Sequence, residues 1–495
     1  MVEYDKDLQS IQEARLVIEA AKKAQKKLAA MSQEQLDVIV EKMAAKASEN
    51  AAYLAKLACE ETGFGNPTDK TLKNKFASDV VWSTIKDLKT VGILKEDTEQ
   101  QVMEVAVPMG VIAGLIPSTN PTSTTIYKAL IAIKAGNGIV ISPHPGAKNA
   151  ILETVKLLRQ AASEAGAPNG IIGALTTLTA KGTEELMKHK DTALILATGG
   201  EAMVRAAYSS GNPAIGVGPG NGPAFIERTA DVKKAVADII ASKIFDNGVI
   251  CASEQSIVTE SVIAQQVVEE LKKKQAYFLS EAESNALAEF ILRANGTMNP
   301  QIVGKTAPIV AKMAGISVPE NTTVLVSPQE TVASTNPYCK EKLCPILAFY
   351  VEENWLDACN RSIELLNVEG QGHTLCIHSQ DKEVIKEFAL NKPVSRILIN
   401  TPGALGGIGG TTNLAPALTL GCGAVGGSST SDNITPFNLI NIRKAAYGVK
   451  SLESLRAAAQ EPTTLPTSSN GLKVDLSDNE VRKLIEAALQ KLATT

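Results

Sequence analysis

From Val105 onward the chain is punctuated by short apolar runs, each closed by Gly or Pro and followed by a helix-compatible stretch, and that alternation leaves few folds open. VAVPMGVIAGLIP, GIVISPHP and TALILATGG read as buried strands; residues Thr124 to Ala135, Ala147 to Ala165 and Ala202 to Ser209 supply the helices after them. Strands covered by helices on both faces are continuous apolar runs, so this βαβα order predicts a doubly wound parallel sheet. A second α/β series starts near Val232, with SIVTESV, TVLVSP, ILAFYVEE, TLCIHS and RILINT as its strands. Before the first sheet, from Leu8 to about Leu88, apolar residues such as Leu36, Ile39, Val40 and Met43 recur at helical spacing, which predicts a helical opening. At 495 residues the chain exceeds what one core can serve, so at least two domains are expected.

Several function classes drop out at this stage. Net charge is −4 and aromatic residues are only 4%, with no basic stripe, so nucleic acid is not an expected partner. Seven cysteines at irregular spacing form neither a disulfide framework nor a CxxC knuckle, which implies a reducing, cytoplasmic setting. Residues 1–30 lack the apolar core of a secretory signal, and the longest apolar runs fall far below the roughly 20 residues of a membrane span. The four histidines lack the company of a metal site, so no metal is expected.

Chemistry is concentrated in a few islands. Cys251 lies in FDNGVICASEQ, where Asp246, Asn247 and Gly248 allow backbone amides to gather round the sulfur, a setting that favours the thiolate and so a nucleophile. A buried space-filling cysteine is the plain alternative. In LIPSTNP, Asn120 ends a strand and precedes a helix; its amide is either an oxyanion donor beside the Cys251 amide or a simple cap. Thr198, Gly199 and Gly200 follow a strand and open a helix, offering amides to a phosphate. Gly216, Gly218, Gly220 and Gly222 do not follow the GxGxxG order; close approach to a ligand and tight loop packing both account for them. SPHP at Ser142 to Pro145, EKLCP from Glu341, and GQGHT around His373 are weak singly; His373 is either an acid–base group near neutral pH or a structural histidine. The apolar, glycine-rich stretch 403–427 reads as ordered loops near a site.

Taken in order, FDNGVICASEQ, IPSTNP, SPHPGAK, ATGG, GVGPGN and EKLCP resemble the aldehyde dehydrogenase superfamily from about Leu8 to Gly448, and within it the CoA-acylating branch. The resemblance implies an α/β fold of two doubly wound domains plus a small oligomerisation element. Residues 1–226 would bind NAD and 227–430 would carry catalysis. A hairpin near 91–104 and a return segment, 431–458, would build a homo-oligomer. It further implies Cys251 as the nucleophile, Asn120 as an oxyanion donor and His373 as an aid to proton transfer. The NAD site would draw on Ile116, Pro117, Ser142, His144, Pro145, Thr198, Gly199, Gly200, Gly216 and Gly218, with Glu341 on a ribose. Hydrolytic members carry a glutamate, in an ELGGK-like run, where this chain has the Gly216 region. Here no carboxylate lies between Arg205 and Glu227, so the implied acceptor of the acyl group is coenzyme A, and the implied substrate a short-chain aldehyde. NAD and NADP stay unranked.

Two other chemistries are consistent with these residues: a hydrolytic aldehyde dehydrogenase releasing free acid, and a cofactor-independent acyl hydrolase built from Cys251, His373 and Asn400, which occur in the chain order of a cysteine hydrolase triad. Residues 459–475 read as a linker. Residues 476–495 read as an amphipathic helix, with Ser477 and Glu480 as a capping box and Val481, Leu484, Ile485, Ala488, Leu489 and Leu492 on one face. That helix either docks on its own protein or tethers the enzyme elsewhere; relatives with such a helix are cargo of bacterial microcompartments, which would place it against a shell. The chain ends before any iron-binding alcohol dehydrogenase half, so that second activity is not expected.

Overall fold

The computed structural model describes residues 5–460 apart from residue 294. The helical opening is five α-helices, Lys6–Leu28, Gln33–Glu49, Ala51–Thr62, Pro67–Lys75 and Val81–Ile85, with a π-helical turn at Phe76–Val80. Local signals set their ends. Ser32 and Gln35 form a reciprocal capping box, and Asn66 caps the fourth helix through Asp69 N at 2.9 Å, with Pro67 in its first turn. Leu36, Ile39, Val40 and Met43 are buried along one stripe of the second helix, as their spacing predicts.

The first sheet has five parallel strands in the spatial order Ile172–Ala174, Gly138–Pro143, Val111–Ile116, Thr192–Thr198, Ala214–Val217. Counted along the chain this is the order 3-2-1-4-5. The winding reverses between Val111–Ile116 and Thr192–Thr198, and the carboxyl ends of these two strands are where open α/β sheets hold their ligands. Helix Pro121–Lys134 is buried at every residue. Its Lys128 ammonium donates to Leu115 O and Leu196 O, both at 2.8 Å, and so ties together the ends of those two strands.

The second sheet has seven parallel strands in the order Tyr277–Phe278, Leu325–Pro328, Ile346–Glu352, Glu254–Glu260, Gly222–Ile226, Gly372–His378, Val394–Ile399. Strand Gly222–Ile226 lies in this sheet, ahead of the domain boundary expected after residue 226. The glycine island hid this. Ala214–Val217 closes the first sheet and Gly222–Ile226 enters the second, with 218–221 as the crossing.

Strands Gly92–Asp97, Val102–Pro108 and Ile440–Ala446 form a separate three-stranded sheet, in that order. The chain divides into two compact units, and residues 5–96 and 103–445 make the larger, holding both parallel sheets. In the smaller, Tyr447 N donates to Gln101 O at 3.0 Å and a helix spans Leu452–Gln460. The expected helix at 476–495, and all of the expected linker beyond 460, lie outside the described residues. No helix among the described residues is long and apolar enough to cross a membrane.

Candidate active site

Helix Val232–Ile244 runs into a tight turn, Phe245–Gly248, in which Asp246 and Asn247 take left-handed φ values of 50° and 53° and Gly248 takes 80°. Asp, Asn and Gly tolerate that region best, so the DNG triplet reverses the chain at modest cost. Cys251 follows, half-buried, just ahead of the central strand Glu254–Glu260. It sits at the amino edge of the second sheet.

Three other segments converge there. Gly220 lies against the Cys251 backbone, and its amide donates to Glu341 Oε1 at 2.9 Å. Burial, joined by the nearby Glu369, pushes the Glu341 carboxyl up to about 8. From strand Val394–Ile399 the buried Arg396 donates to Ser431 O, Asn433 Oδ1 and Gly421 O. Burial pushes the Cys251 thiol up to about 12; Glu341 and Cys422 add to the rise and Arg396 opposes it. The expected thiolate is therefore not the resting state. Loop amides are present, but the loss of water around the sulfur outweighs them. A carboxyl does act on the sulfur, reaching it from a distant segment, and at neutral pH that carboxyl is protonated.

Asn120 stands at the N-terminus of helix Pro121–Lys134 and makes no side-chain cap. Its amide turns instead toward the nucleophile turn: Nδ2 donates to Val249 O at 3.3 Å, and Oδ1 accepts from Lys73 Nζ at 2.7 Å. Lys73 also donates to Asp246 Oδ2 (2.6 Å) and Val249 O (2.7 Å). Lys70, one helical turn away, donates to the same Asp246 oxygen at 2.9 Å and to Thr119 O at 3.0 Å. All three charged side chains are within 3% of full burial. Burial pushes Lys73 down to about 8, against the upward pull of Asp246. Asp246 was legible as a turn former, but nothing in the sequence announced that two lysines 170-odd positions away would share its carboxylate.

At the other sheet, Ile116 and Pro117 are buried at the carboxyl end of the switch-point strand, and Ile116 O accepts from His144 N at 3.1 Å. Ser142 Oγ pairs with Thr183 Oγ1 at 2.9 Å, and His144 Nδ1 accepts from Gly146 N, holding SPHP in a capped turn beside it. Thr198 ends the neighbouring strand, and Gly200 opens helix Glu201–Tyr208, whose first amides no N-cap side chain occupies. A Cβ on Gly218 or Gly200 would meet nothing within 4 Å; the backbone here is open to a ligand. Gly216 is different: a Cβ would strike Val204 Cγ1 at 2.6 Å, so helix packing accounts for it. These residues gather at the carboxyl ends of the two switch-point strands, the place where open α/β sheets hold phosphate-bearing ligands.

His373 is fully buried in strand Gly372–His378, with Nδ1 paired to Thr374 Oγ1 at 2.9 Å and Nε2 unpaired among the described residues. Burial and the neighbouring Arg396 push it down to about 3, so it does not titrate near neutral pH as expected. Asn400 spends its amide on Ser379, accepting from the backbone N and donating to the O. The Cys251–His373–Asn400 triad is thus not assembled, which removes the cofactor-independent hydrolase.

Comparison with known proteins gives the same direction. A family model described as "Aldehyde dehydrogenase family" matches residues 7–284. The bifunctional aldehyde-alcohol dehydrogenase of Escherichia coli K12 is 45% identical over 88% of this chain and 50% of its own length; the chain spans about half of such relatives. The acetylating succinate-semialdehyde dehydrogenase of Clostridium kluyveri is 39% identical over 87% of this chain and 95% of its own. Among solved structures, a probable aldehyde dehydrogenase from Listeria monocytogenes superposes with a TM-score of 0.91 at 63% identity, covering 92% of this chain and 100% of that one. A propionaldehyde dehydrogenase from a Clostridium phytofermentans microcompartment gives 0.81 at 28%, covering 89% and 98%. One from Rhodopseudomonas palustris, with bound CoA and an acylated cysteine, gives 0.79 at 27%, covering 88% and 97%.

Proposed function

This chain belongs to the aldehyde dehydrogenase family, and from that premise we propose that it is an acylating member, oxidising a short-chain aldehyde and passing the acyl group to coenzyme A. One observation carries the choice of acceptor. Among the described residues the carboxyl acting on Cys251 is Glu341, pushed up to about 8 and bonded to the Gly220 amide. A protonated, occupied carboxyl does not activate water near neutral pH. Thiol transfer needs no such base, because a thioester is attacked far more readily by a thiolate.

In this reading the Cys251 proton passes to solvent as the sulfur bonds the aldehyde carbon, and the carbonyl electron pair moves onto oxygen. That oxyanion accepts from Asn120 Nδ2 and the Cys251 amide. NAD, held by the crevice residues, would supply the hydride acceptor for that carbon. Cys251 is left holding a thioester, which CoA attacks to release acyl-CoA and restore the thiol. His373, pushed down to about 3, is too weak a base to take the thiol proton in that second half, so CoA attacks as its own thiolate and the departing Cys251 thiolate regains a proton from solvent. Ile116, Pro117, Ser142, His144, Pro145, Thr198, Gly199, Gly200 and Gly218 would line the NAD crevice, with Glu341 reaching a ribose. Packing already explains Gly216, which would contribute backbone only.

The enzyme forms a homo-oligomer through the three-stranded sheet, a reading supported by the strand Ile440–Ala446, exposed at all but its first residue and lying at a sheet edge. Residues 476–495 attach it to a microcompartment shell, in keeping with the company of microcompartment structures it resembles. Truncation of 475–495 that unfolds the enzyme, instead of merely releasing it from particles, would defeat the shell reading.

The decisive experiment follows NADH absorbance with aldehyde and NAD, with and without CoA. About one equivalent should form without CoA and then stall, and CoA should start steady turnover. Rapid free acid without CoA would return the enzyme to the hydrolytic class.

A further inference from the structure

The Asn120 side chain carries a donor at one end and an acceptor at the other, and only the donor end is of use to an oxyanion. Which end faces the nucleophile must be decided by its neighbours. Lys73 decides it. An ammonium has three donors and no acceptor, and here its three partners are Asp246 Oδ2, Val249 O and Asn120 Oδ1, at 2.6, 2.7 and 2.7 Å. A reversed amide would set an NH2 group against an ammonium that can only donate and is only 2% exposed, and would cost Lys73 its third acceptor.

We infer that Lys73 is a positioning residue: it locks the Asn120 amide with Nδ2 toward the Cys251 side and keeps that donor available for the aldehyde oxygen. The inference rests on the reading of Asn120 as oxyanion donor. The remaining geometry fits. Nδ2 has only a long contact, 3.3 Å, to Val249 O, two residues before the sulfur, so it is held in place without being consumed. Val249 O also accepts from Lys73, so one ammonium fixes both the amide and the strand entry that carries the nucleophile. Asp246 in turn fixes the ammonium. Its Oδ1 accepts from Asn66 N at 2.9 Å and its own N donates to Asp69 Oδ2 at 2.7 Å, which anchors it to the start of the helix that bears Lys73. Charge on the ammonium polarises the amide it holds and strengthens the donor at the far end.

Lys70 supplies the contrast. It shares Asp246 and lies on the same helix face, but its other partner is Thr119 O and it does not touch Asn120. A merely structural lysine pair predicts the same behaviour for both.

The test is a double-mutant cycle on the pre-steady-state NADH burst, which reports acylation of Cys251, with KM for aldehyde and NAD measured alongside. Asn120→Ala should slow the burst by roughly 10²-fold. Lys73→Met should slow it by about 10-fold to 10²-fold with KM values nearly unchanged, and should add less than about 3-fold in the Asn120→Ala background, because there is no amide left to orient. Lys73→Arg, which keeps charge and donors, should recover part of the loss. Lys70→Met should multiply with Asn120→Ala as an independent change. If Lys73→Met does not fold, Lys73→Gln takes its place, keeping one donor that can reach Oδ1, and the same sub-multiplicative pattern is expected. Full multiplication of Lys73 and Asn120 losses would overturn the positioning role while leaving the Asn120 reading intact. An unchanged burst in Asn120→Ala would overturn the Asn120 reading itself, and the inference with it.

Discussion

A Cβ added to Gly220 would stand 1.9 Å from the carbonyl oxygen of Cys251 and 2.9 Å from its carbonyl carbon. The crossing between the two sheets therefore passes directly over the nucleophile's backbone, closer than any other residue type allows. The Gly220 amide also holds Glu341. Gly220→Ala must separate the crossing from the Cys251 segment or displace the nucleophile, and sub-ångström misplacement at a reacting centre is costly. The expected result is a fall of at least 10²-fold in acylation with the protein still folded by circular dichroism. Near-normal bursts in Gly220→Ala would mean that the close approach is not kept in solution.

Cys251 in the free enzyme should react slowly with iodoacetamide at neutral pH. With the thiol pushed up to about 12, thiolate is a trace species at pH 7. Its amount grows about tenfold per pH unit. Ionisation of Glu341 near 8 places a negative charge beside the sulfur and should flatten that climb between about pH 7.5 and 8.5. Alkylation rates from pH 6.5 to 9.5, compared with Glu341→Gln, check both features: the variant should show a steeper, unbroken rise. A plateau below pH 8 in the wild type would show a thiolate already formed at rest.

How far the sequence carried these conclusions depends on range. Periodicity and glycine punctuation placed the helical opening and most strands, because those signals act within a few residues. The glycine island 214–222 left ligand approach and packing both open, and the fold divides them: Val204 and Tyr208 pack on Gly216, the Cys251 backbone on Gly220 and Thr374 O on Gly222, whereas Gly218 faces open space. The nucleophile was visible in its own turn. Its charge state was not, since burial, Glu341 and Arg396 act on Cys251 from segments that only the fold brings together. Lys70 and Lys73 carry no signal in their own helix, because the carboxylate that holds them buried lies in a distant segment of the sequence.

Removing that carboxylate should be severe. Asp246→Asn would leave Lys70 and Lys73 buried without the charge that both contact, and breaking a buried pair from one side costs about 3–5 kcal/mol. A fall of several degrees in melting temperature is expected, together with a slower burst, because the turn before Cys251 and the Asn120 lock share this anchor. Wild-type stability in Asp246→Asn would mean that water reaches the lysines.

Glu254, three residues after the nucleophile, offers a stability test with a defined sign. It is buried, Oε1 accepts from Gly403 N at 2.7 Å, and Oε2 has no partner among the described residues. Burial pushes it from 4.5 up to about 7, with the Ser242 side chain the strongest of the influences drawing it back. An acid whose folded value is raised binds its proton more tightly folded than unfolded, so folding is favoured by it below pH 4.5 and that advantage drains away as pH climbs to about 7, where it levels off. The loss is on the order of 3 kcal/mol. Glu254→Gln cannot ionise and escapes it. Whatever its melting temperature at pH 5, the variant should gain on the wild type by several degrees between pH 5 and 8, in paired thermal scans at constant ionic strength. Parallel curves for the two proteins across that range would show that Glu254 is ionised already at pH 5, with a counter-charge or water at Oε2.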